Sequence, residues 1–193
     1  ISTSITFSFN APGFSTGWEA SSFGSPANDA ITTTDGGIQT VGTAPTVQAK
    51  VEDGVGMHGN SLLTLDLNEL RTAAGIPSGT PMRFLVDRAG VNNNAGGSPS
   101  IRTVVLVRDD IQVLSGYVNG QSMQLGTTGA NWRFDSAVPA TVTTGQFHAY
   151  DILLPASARY LTLAVTSGGN GNGNDHGVFS GARLVTENFA IEF

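Results

Sequence analysis

The chain has 193 residues, no cysteine, nine basic and fifteen acidic residues, and a formal net charge of -6. That balance excludes the basic footprint nucleic-acid binding requires, and the lack of cysteine excludes disulfides and thiolate metal sites. With 39% hydrophobic and only 12% charged residues, the sequence predicts one domain over residues 1–193 with a polar, largely uncharged surface.

Ile5, Phe7 and Phe9 alternate with polar residues, the period of a strand with one face on a core, and predict a terminal strand over 4–9. The run Gly13-Phe14-Ser15-Thr16-Gly17 has the spacing of a nucleophile elbow. That turn needs a strand before it and a helix after it, whereas Pro12 precedes this run and polar Ser/Gly loop sequence follows, so no catalytic serine is predicted. Trp18, beside Glu19, reads as core. Residues 21–29 are rich in Ser, Gly and Pro and predict a long surface loop.

Alternation then predicts strands around Val47, Ala49 and Val51 and over 63–67, 82–86, 101–107, 111–118, 147–154, 160–165 and 183–193. One short helix is predicted near residues 69–74, capped by Asn68 and stopped by Gly75 and Pro77. Asp109-Asp110 marks one turn and Asn119-Gly120 a type I′ hairpin, while residues 89–100 form a second long loop. Strands never alternate with long amphipathic helices, so the fold class is all-β, an antiparallel two-sheet β-sandwich. No apolar run approaches the roughly 20 residues needed to span a bilayer, and composition with no leader before Ile1 predicts a secreted, extracellular bacterial protein.

The run from Gly168 to Gly177 holds five glycines, three asparagines and Asp175, and lies between two apolar strands. Its glycines tolerate positive φ and its side-chain oxygens close local turns, so it reads as a specified loop. Asn172, Asn174 and Asp175 are candidate hydrogen-bonding partners for a sugar, with Trp132 as a stacking platform flanked by Asn131 and Arg133. His58 and His176 read as loop-structuring residues that donate to backbone carbonyls, with Asp175 also able to cap neighbouring amides. Asn170, Asn172 and Asn174 space oxygen donors as a calcium loop does, but Gly181 stands where the bidentate Glu is expected, so calcium is the one cofactor to weigh and the motif argues against it. The three histidines build no zinc spacing, and a non-catalytic role is predicted.

Taken in order, Gly54-Val55-Gly56-Met57-His58-Gly59-Asn60-Ser61, then Leu65-Asp66-Leu67, then residues 84–91, then the glycine-asparagine loop with Asp175-His176 and Ala182-Arg183-Leu184 resemble the NPCBM family over roughly residues 54–184. These are carbohydrate-binding modules related to family 51. The resemblance implies a jelly-roll-like sandwich, attachment to secreted glycoside hydrolases, and a glycan or polysaccharide partner with galactose-type sugars among the targets. The family's Asp-His is matched by Asp175-His176 and its arginine by Arg183, which is counted with His58 and His176 as loop-structuring. Members commonly carry acidic residues and a Trp where this chain has Val178, Phe179 and Gly181.

A second function fits the chain ends. Phe7, Phe9, Phe14, Phe189 and Phe193 cluster near the termini, and residues 189–193 alternate to the last residue. Strands there either pair with each other or add to a neighbouring subunit, which would make a homo-oligomer, filament or surface layer.

Overall fold

The computed structural model describes residues 54–92, 97–123, 141–170 and 173–186, together with the backbone of strands 3–6, 14–18, 31–33, 40–41, 49–50 and 189–192. In chain order the elements are β1 (Thr3–Thr6), β2 (Phe14–Trp18), β3 (Ile31–Thr33), β4 (Thr40–Val41), β5 (Ala49–Lys50), β6 (Gly54–His58), β7 (Ser61–Asp66) and α1 (Leu67–Ala73). They continue as β8 (Met82–Val91), β9 (Ser100–Arg108), β10 (Val113–Val118), β11 (Gln121–Met123), β12 (Val142–Thr143), β13 (Phe147–Leu154), β14 (Tyr160–Ser167), β15 (His176–Ser180), β16 (Arg183–Val185) and β17 (Phe189–Glu192).

Two sheets form the sandwich. The first runs β1-β17-β16-β8-β15-β6-β3, with β13 also paired to β8. The second runs β11-β10-β9-β14-β7-β2, with β12 on β9, and β4 and β5 pair only with each other. Alternation selects the core as expected for half-buried strands. Val55, Met57, Phe84, Val86, Val91 and Phe179 from the first sheet meet Leu63, Leu65, Ile101, Val105, Leu163 and Val165 from the second, all buried. At roughly 25 cal/mol per Å² of apolar surface, this shared core is the main term holding the sheets together.

Several elements depart from the sequence reading. The run 14–18, which is not among the strands expected, is a strand paired with β7, so Ser15 sits in a ladder opposite Thr64. Gly54–His58 and His176–Ser180 are strands although glycines break their patterns. The helix begins earlier than expected: Asp66 is its cap, its Oδ1 accepting from the amides of Asn68 at 2.9 Å and Glu69 at 3.3 Å. The run 183–193 is two strands, β16 and β17, in antiparallel register. The pairings among the described strands are antiparallel except that of β1 with β17, which is parallel and joins the two terminal strands at the edge of the first sheet. Asn119-Gly120 is the expected hairpin turn, with φ of 48° and 76°. Among the described residues no helix is long and apolar enough to cross a membrane.

Candidate functional site

Strand direction gathers the functional loops at one end of the sandwich. His58 leaves β6 opposite His176 entering β15, Val91 lies beside Gly177, and Ser167 leaves β14 beside Ile101 at the start of β9. Residues 59–60, 92, 97–99, 168–170 and 173–175 therefore meet at this end, while α1 and the turns at 109–112 and 155–159 lie at the other.

Asp175 ties these links together. Its main-chain oxygen accepts from the Gly59 amide at 2.5 Å, and its Oδ1 accepts from the Ser100 amide at 2.8 Å. The residue is fully buried and Oδ2 has no partner. Burial raises the carboxyl pKa, opposed by the Ser100 amide and by the positive charge available on His58. Around it, Ser167 N donates to Asn60 Oδ1 at 3.0 Å, Gly168 N to Ser100 O at 2.5 Å, and Asn170 Nδ2 to Ser98 O at 3.1 Å. Asn60 and Asn174 adopt left-handed backbone, φ of 66° and 64°, which Asn tolerates better than most residues. Hydrogen bonds stitch the loop to two neighbours; among the described residues there is no group of three or more His, Asp or Glu placed to hold a metal ion.

Asn174 is exposed at the rim, whereas Asp175, also named from sequence as a sugar contact, faces inward and takes the amide-capping role. His58 and His176 are half-buried cross-strand partners whose rings meet edge to face at 4.8 Å between centroids, and His58 Nδ1 lies 3.2 Å from the Gly59 carbonyl. Arg183 stands away from this loop. Its Nη1 donates to Gly181 O at 2.6 Å and to Asp87 Oδ1 at 3.0 Å, bracing the turn between β15 and β16. Val178 and Phe179, where the resembled family carries other residues, are fully buried, and Gly181 has φ of 65° in that same turn. None of these three positions opens on the loop end. Asn131, Trp132, Arg133 and Asn172 lie outside the described residues.

A second feature was not read from the sequence. An open cleft of about 430 Å³ lies where the β10–β11 turn faces the β12–β13 turn, lined by Asn119, Gln121, Thr141, Gln146, Phe147 and His148 among others. Burial lowers the His148 pKa and so favours the neutral imidazole, which has one donor and one acceptor. Gln121 follows the Asn-Gly turn directly, but no local pattern joins it to residues 141–148.

No family model matches the sequence, and no curated protein does. Among solved structures the chain is similar to CBM51 from Clostridium perfringens GH95 in complex with methyl-galactose, at 22% identity and a TM-score of 0.53, with 88% of this chain and 94% of that chain covered. It is similar to the M60 catalytic domain with the CBM51-1 and CBM51-2 domains from Clostridium perfringens ZmpB, at 17% identity and a TM-score of 0.54, covering 92% of this chain but 14% of that chain. It is also similar to the tandem CBM51 modules of a family 98 glycoside hydrolase from Streptococcus pneumoniae, at 14% identity and a TM-score of 0.52, covering 90% of this chain and 48% of that chain. The fold is therefore that of the family 51 carbohydrate-binding modules, a β-sandwich, and the chain spans less than half the length of two of these three neighbours.

Proposed function

We propose that the chain is a non-catalytic, extracellular carbohydrate-binding module that recognises neutral glycans, galactose-type sugars among them, at the loop end of the sandwich. One observation carries this reading: the buried Asp175 joins the loops at Gly59 and Ser100 to its own and holds exposed Asn174 at the rim. A sugar hydroxyl gains little from one neutral hydrogen bond in water, so a lectin-type site has to hold its donors and acceptors in place beforehand. Two neighbouring segments fixed to one residue, Gly59 to the Asp175 main-chain oxygen and Ser100 to its carboxylate, do so. Asn172 and Asn174 supply amide donors and acceptors in this reading, and Trp132, with Asn131 and Arg133, supplies the apolar platform against a sugar face. The solved neighbour bound to methyl-galactose supports the sugar class, and the bacterial sources of the neighbours support the extracellular setting.

The test is affinity electrophoresis and a glycan array with the whole chain. Retardation by a galactose-containing polysaccharide, lost in Trp132→Ala and weakened in Asn174→Ala, is the expected result. A chain that no arrayed glycan retains overturns the reading.

A further inference from the structure

We propose that the cleft between the β10–β11 and β12–β13 turns is a second sugar subsite, so that the chain binds an oligosaccharide across two places rather than one terminal sugar. The inference rests on the glycan reading above and extends it to ligand length.

Chemistry comes first. The cleft volume of about 430 Å³ falls in the range of small-molecule sites and has room for a pyranose. It is lined by Gln121, Thr141, Gln146, Phe147 and His148 among others, with no carboxylate among them, and Arg88 stands over the Phe147 ring at 5.1 Å. Neutral amides, a hydroxyl and an imidazole suit an uncharged polyol. They do not suit a cation, which would find no counter-charge.

The walls are also preformed. Asn119 donates its amide to Thr103 O at 2.9 Å and accepts from Thr103 N through Oδ1 at 2.9 Å, so the turn is fixed to β9 from both directions. Gln146 Oε1 accepts from the Thr143 amide at 3.0 Å and from Thr143 Oγ1 at 3.1 Å, which leaves its Nε2 as the donor toward a ligand. Gly120 packs so tightly that a Cβ there would lie 2.9 Å from the Ala149 carbonyl. Little ordering entropy remains to be lost when a ligand enters.

Position links the cleft to the loop end. Thr143 in β12 is the ladder partner of Ser100, and the Ser100 amide is the one that donates to Asp175. With cross-strand neighbours about 5 Å apart, the β12–β13 turn and the Asp175 junction stand about 10 Å from each other on the same end of the sandwich. A single pyranose does not span that separation; a short oligosaccharide does. Two subsites on one rigid end gain affinity through effective concentration.

The experiment is isothermal titration of the whole chain with methyl galactoside and with galactotriose, in wild type, Gln121→Trp and Asn174→Ala, with circular dichroism to verify each fold. Gln121 is exposed, so the added indole fills the cleft without entering the core. Wild type is expected to bind the trisaccharide at least about tenfold tighter than the monosaccharide. Gln121→Trp is expected to abolish that gain and leave the monosaccharide affinity unchanged, while Asn174→Ala weakens both sugars. Equal affinity for the two sugars in wild type, or a gain that survives Gln121→Trp, overturns the second subsite and leaves the loop-end site standing. A wild-type chain that binds neither sugar overturns both.

Discussion

Asp175→Ala removes the acceptor that holds the Ser100 amide, and Asp175→Asn keeps an oxygen at that place while removing the charge. In wild type the carboxylate is buried, Oδ1 accepts at 2.8 Å and Oδ2 has no partner, so the charged form carries a burial penalty that one hydrogen bond only partly offsets. Comparing the two variants cancels the charge and isolates the hydrogen bond. Deleting it strands a partly buried amide, which costs about 1–3 kcal/mol, so Asp175→Ala should unfold at lower urea than Asp175→Asn by that free energy. The pH dependence has a fixed sign. Burial raises the folded pKa above the unfolded value of about 3.9, so the folded state holds the extra proton in between. The stability this supplies is fully present below the unfolded value and is lost as pH rises through the folded one. Wild type should therefore lose stability relative to Asp175→Asn on going upward from about pH 4. The assay is urea denaturation followed by tryptophan fluorescence across that range. Equal midpoints for the two variants would refute the hydrogen-bond account, and a wild-type advantage that grows with pH would refute the burial account.

Three further outcomes follow from the packing. Gly177→Ala places a methyl against Val165 Cγ2, with Val165 Cγ1 at 2.9 Å and Ile101 Cδ1 at 3.2 Å, in a fully buried part of the core; calorimetry should show a loss of about 1–3 kcal/mol, and an unchanged Tm would mean the sheets can separate at no cost. Arg71 is buried with Nε and Nη2 unpartnered, and desolvation lowers its pKa, so Arg71→Met should be neutral or stabilising in urea, whereas a loss above about 2 kcal/mol would show that the guanidinium is compensated. The buried Tyr150 hydroxyl donates to Thr103 O at 2.8 Å, and burial pushes its pKa up to about 12. Tyr150→Phe should cost about 1 kcal/mol and remove a late, alkaline step from the phenolate absorbance titration; a titration with no such step missing would place Tyr150 in contact with water.

Regular alternation was readable wherever one strand face meets the core, and 147–154 matches β13 at both ends. It failed where side chains of the facing sheet press so close to a strand that only glycine fits. Gly177 reads as loop because glycine breaks a strand pattern, yet here it is glycine because Val165 and Ile101 occupy the space a Cβ would need. The helix cap was misplaced by two residues because Asp66 and Asn68 are both good caps, and only the amide geometry separates them. Asp175 in an Asn-Gly run looks exposed. What buries it is Ser100, 75 residues earlier, a contact no local pattern encodes. The cleft was invisible for the same reason, since Asn119 and Gln121 reach it from one hairpin and Thr141 to His148 from another.

The parallel pair of β1 and β17 has a consequence for how the molecule is made. Thr3 aligns with Phe189 and Thr6 with Glu192, so this ladder joins segments from opposite ends of the sequence. Closing so long a loop costs entropy that no local contact repays in advance, and topologies dominated by such pairings fold slowly. The ladder cannot form until β17 has emerged from the ribosome, and until then one side of β16 has no neighbour. β17 completes a sheet that also takes in β1, and closing this long-range ladder is expected to be the late, slow event in folding.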